Sequence, residues 1–86
     1  MPTVYVLNVP EFAGLAKSVR GNDHYRVRDS GRGYTIIESD DELVFKRSDT
    51  GFKPAVWYGA FTGGIRGTIT EFGRDTVRIV NSVAKA

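Results

Sequence analysis

Cysteine is absent from this 86-residue chain, and histidine occurs once, at His24. The first absence removes disulfides, thiol nucleophiles and cysteine-based zinc sites; the second removes any metal site that needs several imidazoles from one chain. No apolar run approaches the ~20 residues that a membrane-crossing helix requires. The opening Met1-Pro2-Thr3-Val4-Tyr5-Val6 has neither the basic start nor the long apolar stretch of a secretion signal. Internal repeats, linkers and low-complexity segments are missing too. The expectation is one soluble, cytoplasmic domain over residues 1–86 that uses no cofactor and no metal.

Hydrophobic residues make up 41% and charged residues 26% of the chain, which places it among globular proteins rather than disordered or fibrous ones. Twelve basic against ten acidic side chains leave a net charge of +2, and eight of the twelve are arginine. Guanidinium groups suit carboxylates, phosphates and aromatic faces better than ammonium groups do. The densest basic segment holds Lys17, Arg20, Arg26, Arg28 and Arg32, but Asp23 and Asp29 interrupt it. That pattern reads as a solvated face of mixed charge, so weak nucleic-acid binding ranks third among the functions considered.

Thr3–Val9 is rich in β-branched and aromatic residues and predicts a strand, apolar at both odd and even positions. Residues 10–20 predict the one helix, with Phe12, Leu15, Ala16 and Val19 at the spacing of a buried stripe. Pro10 and Glu11 suit its first turn, Lys17 and Arg20 its last, and Gly21 the left-handed position beyond. Further strands are predicted over residues 24–29, 34–38, 42–47, 55–61, 65–72 and 76–80. Ser39-Asp40-Asp41-Glu42 matches a capping box for a short helix, yet Leu43-Val44-Phe45 favours a strand there. The reading is an α+β fold: a hairpin-rich antiparallel sheet of six to seven strands, with one N-terminal helix on one face.

Gly63-Gly64 predicts a two-residue hairpin loop joining residues 55–61 to 65–72, because glycine supplies the positive φ of such turns. Val56, Tyr58, Ala60, Ile65 and Ile69 then share the core face. Trp57, Phe61, Arg66, Phe72 and Arg78 share the opposite one, since directly paired residues project the same way. For the turn at Gly73-Arg74-Asp75, a three-residue loop pairs Ile69 with Ile79 and Thr70 with Arg78. A two-residue loop that sets Ile69 against Arg78 is rejected on burial grounds. The resulting aromatic and arginine face is the candidate binding site, with Arg66 over Phe61 and Arg78 near Trp57 as the alternative of simple cross-strand support.

No set of side chains converges on catalysis. Asp49-Thr50-Gly51 resembles the active-site tripeptide of retroviral-type aspartic proteases, and Gly73-Arg74-Asp75 faintly resembles an element late in those chains. That family places its tripeptide after an apolar strand; here Lys46-Arg47-Ser48 precedes it, and the motif reads as a turn. His24 beside Asp23 has a side chain suited to proton transfer near neutrality but no serine in a nucleophile elbow to serve. Gly31-Arg32-Gly33 and the segment from Gly63 to Gly67 lack the remaining residues of nucleotide-binding loops. Asp40-Asp41-Glu42 reads as a solvated turn. The expected function is a non-catalytic interaction module, homodimeric or bound to another protein, contacting its partner through Trp57, Phe61, Arg66, Phe72 and Arg78. The alternative is binding of, or catalysis on, an anionic aromatic small molecule, with those arginines as clamps and His24 or Tyr58 as proton donor.

Overall fold

The computed structural model describes residues 2–81. Its first strand, β1 (Thr3–Leu7), buries Val4 and Val6 on one side while Leu7 stays exposed. A single 3-10 turn at Pro10–Phe12 leads into helix α1 (Ala13–Val19), whose Leu15, Ala16 and Val19 form the buried stripe expected from their spacing. Gly21, at φ 103°, ends the segment in the left-handed region that glycine adopts without a Cβ penalty. Strands β2 (Tyr25–Asp29), β3 (Tyr34–Ser39) and β4 (Glu42–Lys46) follow. Between β3 and β4 the strand reading prevails over the capping box: the Ser39 hydroxyl accepts from the Asp41 amide at 3.4 Å in a tight turn, with no helix.

The next segment departs from the sequence reading. Residues 47–50 form one helical turn, α2 (Arg47–Thr50), stopped by Gly51 at φ 74°. Where a strand was predicted over 55–61, the chain forms helix α3 (Pro54–Ala60) with proline in its first turn. Trp57, Ala60 and Phe61 stand at i, i+3 and i+4, and all three are buried. The β-favouring character of Val56, Trp57, Tyr58 and Phe61 suggested a strand; burial of this helical stripe against the strands outweighs that preference. Consequently Gly63-Gly64 is no hairpin loop. It runs along β1: the Tyr5 amide donates to the Gly64 carbonyl at 2.9 Å, and a Cβ on Gly63 would lie 2.4 Å from the Tyr5 carbonyl oxygen. Glycine is needed there for close backbone approach rather than for a turn.

Strands β5 (Ile65–Arg66), β6 (Thr68–Phe72) and β7 (Thr76–Val80) complete the chain. The strands divide into two antiparallel sheets instead of the single sheet expected. The N-terminal sheet has the order β2-β3-β1-β5 and the C-terminal sheet the order β4-β7-β6. Because β3 lies antiparallel to both β1 and β2, those two strands are parallel to each other with β3 between, a split β-α-β arrangement.

The β6–β7 connection solves the register problem by a different route. Gly73 donates to the Thr76 carbonyl at 2.9 Å, leaving a two-residue loop of Arg74 and Asp75. Phe72 pairs with Val77 and Glu71 with Arg78; a bulge between Ile69 and Glu71 then restores Ile69 opposite Ile79. The expected Ile69–Ile79 pairing is present, and the predicted Thr70–Arg78 pairing is replaced by Glu71–Arg78. A bulge adds one residue to one strand, so Ile69 and Phe72 face the same side despite their odd spacing.

One core joins both sheets. Val4, Val6 and Ile37 meet Leu43, Phe45, Val77 and Ile79, with Leu15, Trp57 and Phe61 from the helical segments between them. The Trp57 indole nitrogen donates to the Gly73 carbonyl at 2.9 Å, so α3 is pinned to the β6–β7 turn. Arg47 binds that turn from another side, donating to Arg74 O and Asp75 Oδ1, each at 3.0 Å, and ties it to the loop before α3 by donating to Phe52 O at 3.0 Å. Among the described residues no helix is long and apolar enough to cross a membrane.

Candidate functional site

The replacement of a strand by α3 redistributes the five residues proposed as a contact face. Trp57 is fully buried and Phe61 is 5% exposed, so neither offers surface to a partner. Arg66 sits on β5 opposite Thr3, in the other sheet from Phe72. Arg78 faces outward on β7, and its guanidinium binds Glu42 at 2.6 Å rather than lying over Trp57. Phe72 alone combines an exposed position with ring contacts, 5.7 Å from Phe61 and 5.7 Å from Tyr58. The predicted assembly of Trp57, Phe61, Arg66, Phe72 and Arg78 on one open face is therefore not present. Tyr58, assigned to the core, is instead one of the most exposed aromatic side chains, at 43%.

What replaces that assembly is an apolar rim on the C-terminal sheet. Ile69 and Phe72 pair with Ile79 and Val77, both fully buried, and so belong to the core-facing side of this sheet. β6 is its edge strand, however, and none of the described residues covers it there: all five residues of β6 are exposed, Ile69 at 41% and Phe72 at 43%. Tyr58, on the neighbouring turn of α3, extends the rim. Three of the four large apolar side chains that stand exposed on the described surface thus lie together, the fourth being Leu7.

The edges of the two sheets differ in how they are protected. The outer edge of β4 is closed at its centre, where the Val44 amide donates to the Tyr25 hydroxyl oxygen at 2.9 Å. β2 carries Arg26, Arg28 and Asp29, charges of the kind that discourage edge pairing. β5 has only two residues. On β6, Glu71 is the sole charge along five residues, flanked by threonines and the two apolar side chains.

A mixed aromatic and arginine face does exist, but on the N-terminal sheet. Tyr5, Leu7, Tyr34 and Ile36 lie on one side of β1 and β3, as their pairing requires, with Arg26, Arg28 and Arg66 around them. Ile36 is buried yet stands apart from the main core, consistent with this opposite face. Glu38 lies 3.6 Å from Arg26 and 3.5 Å from Arg28, so the carboxylate neutralises much of the positive charge. The basic stripe that a nucleic-acid surface needs does not form.

The remaining motifs have structural roles. Asp49 lies on the exposed turn α2, and the Thr50 hydroxyl donates back to the Arg47 carbonyl at 2.8 Å, which makes Asp49-Thr50-Gly51 a helix end. His24 is exposed in a loop, its amide donating to Asn22 Oδ1 at 2.9 Å. Within the acidic trio, Asp40 meets Arg26 at 3.2 Å and Glu42 meets Arg78, leaving Asp41 in solvent. Among the described residues no group of three or more histidines and carboxylates is arranged to hold a metal ion. No family model matches this chain, and no curated protein matches it significantly.

Proposed function

We propose that this protein is a small, non-catalytic interaction module that works in the cytoplasm and docks its partner on the rim formed by Tyr58, Ile69 and Phe72 along the open edge of β6. The observation that carries this reading is the clustering of those side chains, each more than two-fifths exposed, beside a strand edge with one charge. Contiguous apolar surface of this kind marks contact sites on small proteins, and aromatic side chains contribute most of the energy at such contacts.

A second copy of the chain is the partner that this edge suits. Two identical edge strands related by a two-fold axis run antiparallel, so each supplies what the other lacks. The apolar side chains Ile69 and Phe72 carry the contact, because the bulge at Thr70 interrupts a continuous ladder. Among the residues first proposed for the contact, Phe72 keeps that role.

Light scattering coupled to gel filtration tests the reading. The expected mass at micromolar concentration is twice the 9.5 kDa of one chain, and Ile69→Lys returns it to one chain while the circular dichroism spectrum is unchanged. A wild-type chain that remains monomeric at the highest soluble concentration overturns self-association, as does an Ile69→Lys variant of undiminished mass.

A further inference from the structure

A hollow in the described surface lies between α1 and the end of the N-terminal sheet. We infer that it binds a small organic anion: a carboxylate or phosphate attached to an apolar body. The cleft has a volume of about 670 Å3, within the range of roughly 300–1,000 Å3 typical of small-molecule sites. Its floor is apolar, formed by Val6, Val9, Phe12, Ala16 and Val27. Its rim is cationic, with Lys17 on α1 and Arg20 at the cap of that helix; Arg28 also borders the cleft, but its guanidinium turns to Glu38 on the other face of the sheet.

The state of these charges decides the sign of the ligand. Arg28 shares Glu38 with Arg26. Lys17 and Arg20 are exposed and have no carboxylate within ion-pair distance among the described residues, so their charge is open to a ligand. The carboxylate on the wall, Asp29, is occupied: it accepts from the Gly31 amide at 2.8 Å and from Asn8 Nδ2 at 3.4 Å. Asn8 in turn accepts from the Thr35 hydroxyl. These three polar side chains are tied to one another; bonds from neutral amides do not cancel the carboxylate's charge, so the sign of the cleft is set by Lys17 and Arg20 outnumbering Asp29 by two to one. An ammonium and a guanidinium three residues apart on a helix end present two cationic heads to one anion. The apolar floor supplies contact area for the body of the ligand. Neither Lys17 nor Arg20 takes part in the contact proposed for β6, and the two sites stand or fall separately.

The test uses the full chain, 15N-labelled, titrated with 2-naphthoate, with 1-naphthyl phosphate and with the neutral 2-naphthylmethanol while amide shifts are followed. Saturable shifts at residues 8–17, 27–29 and 35 with either anion, and binding of the alcohol about tenfold weaker or worse, are expected. Lys17→Glu and Arg20→Glu each weaken anion binding by about tenfold; being exposed and unpaired, they leave the remaining spectrum in place. Ile69→Lys leaves anion binding unaltered. Shifts confined to residues 58, 69 and 72, equal binding of the alcohol, indifference to both charge reversals, or an unchanged spectrum at millimolar anion overturns the site.

Discussion

Trp57 shows how one side chain serves two purposes in a small core. Its ring is fully buried, 5.0 Å from Phe61 in an edge-on arrangement, and its indole N–H satisfies the carbonyl of Gly73 in the β6–β7 turn. Trp57→Phe keeps most of the apolar volume but leaves Gly73 O without that donor and opens a gap at the ring edge. The expected cost is about 1–3 kcal/mol, read as a lower urea midpoint with an unchanged slope. A loss near zero would show that the Gly73 carbonyl is served by water. The exposed pair Arg78–Glu42 is a different case: although 2.6 Å long, it joins two side chains in solvent and contributes little, about 0–1 kcal/mol.

At the scale of elements, the segment 54–60 is where local preference and tertiary context disagree. Val, Trp, Tyr and Phe favour extended backbone, whereas Pro54 at the first turn and the 57, 60, 61 stripe favour a helix. Gly59 gives a direct test. It lies inside α3, and an added Cβ would meet Phe12 at 3.7 Å, an ordinary contact. Gly59→Ala is therefore expected to stabilise the protein by up to about 1 kcal/mol through helix propensity. A chemical denaturation midpoint that falls instead would argue against α3. Gly14 is the opposite case, since a Cβ there would stand 2.7 Å from the Thr50 carbonyl oxygen and separate α1 from α2.

At the scale of the whole molecule, the two sheets are held together by side chains from both sides. Tyr25 leaves β2 and places its hydroxyl on the exposed edge of β4, accepting from the Val44 amide at 2.9 Å while its ring rests 6.4 Å from Phe45. Tyr25→Phe preserves the ring contact and removes the acceptor. The expected result is a loss of about 1–3 kcal/mol together with faster hydrogen exchange at the Val44 amide. Unchanged protection of that amide would show that the sheets do not depend on this bond. The radius of gyration, 12.1 Å, matches the ~12 Å of a compact chain of this length, so the proposed contact on β6 and the cleft beside α1 lie on one small body.

Much of this architecture was legible from residue order. The early strand, the helix stripe of Phe12, Leu15, Ala16 and Val19 and the strand predicted over 42–47, observed over 42–46, follow from local periodicity. Each depends on neighbours in sequence, which one chain displays in full. Ile69 does face Ile79, but through a two-residue loop and a bulge rather than the three-residue loop expected. The helical nature of 54–60, the division into two sheets, the bulge at Thr70 and the burial of Trp57 were settled by tertiary structure alone. In these cases two local solutions differ by little, and contact with distant strands decides between them. The surface followed the core: once Trp57 and Phe61 turned inward, Tyr58, Ile69 and Phe72 were left at the rim. Lys17 and Arg20 became the edge of a cleft because β1 and β2 pass beneath α1, a proximity that their own spacing does not encode.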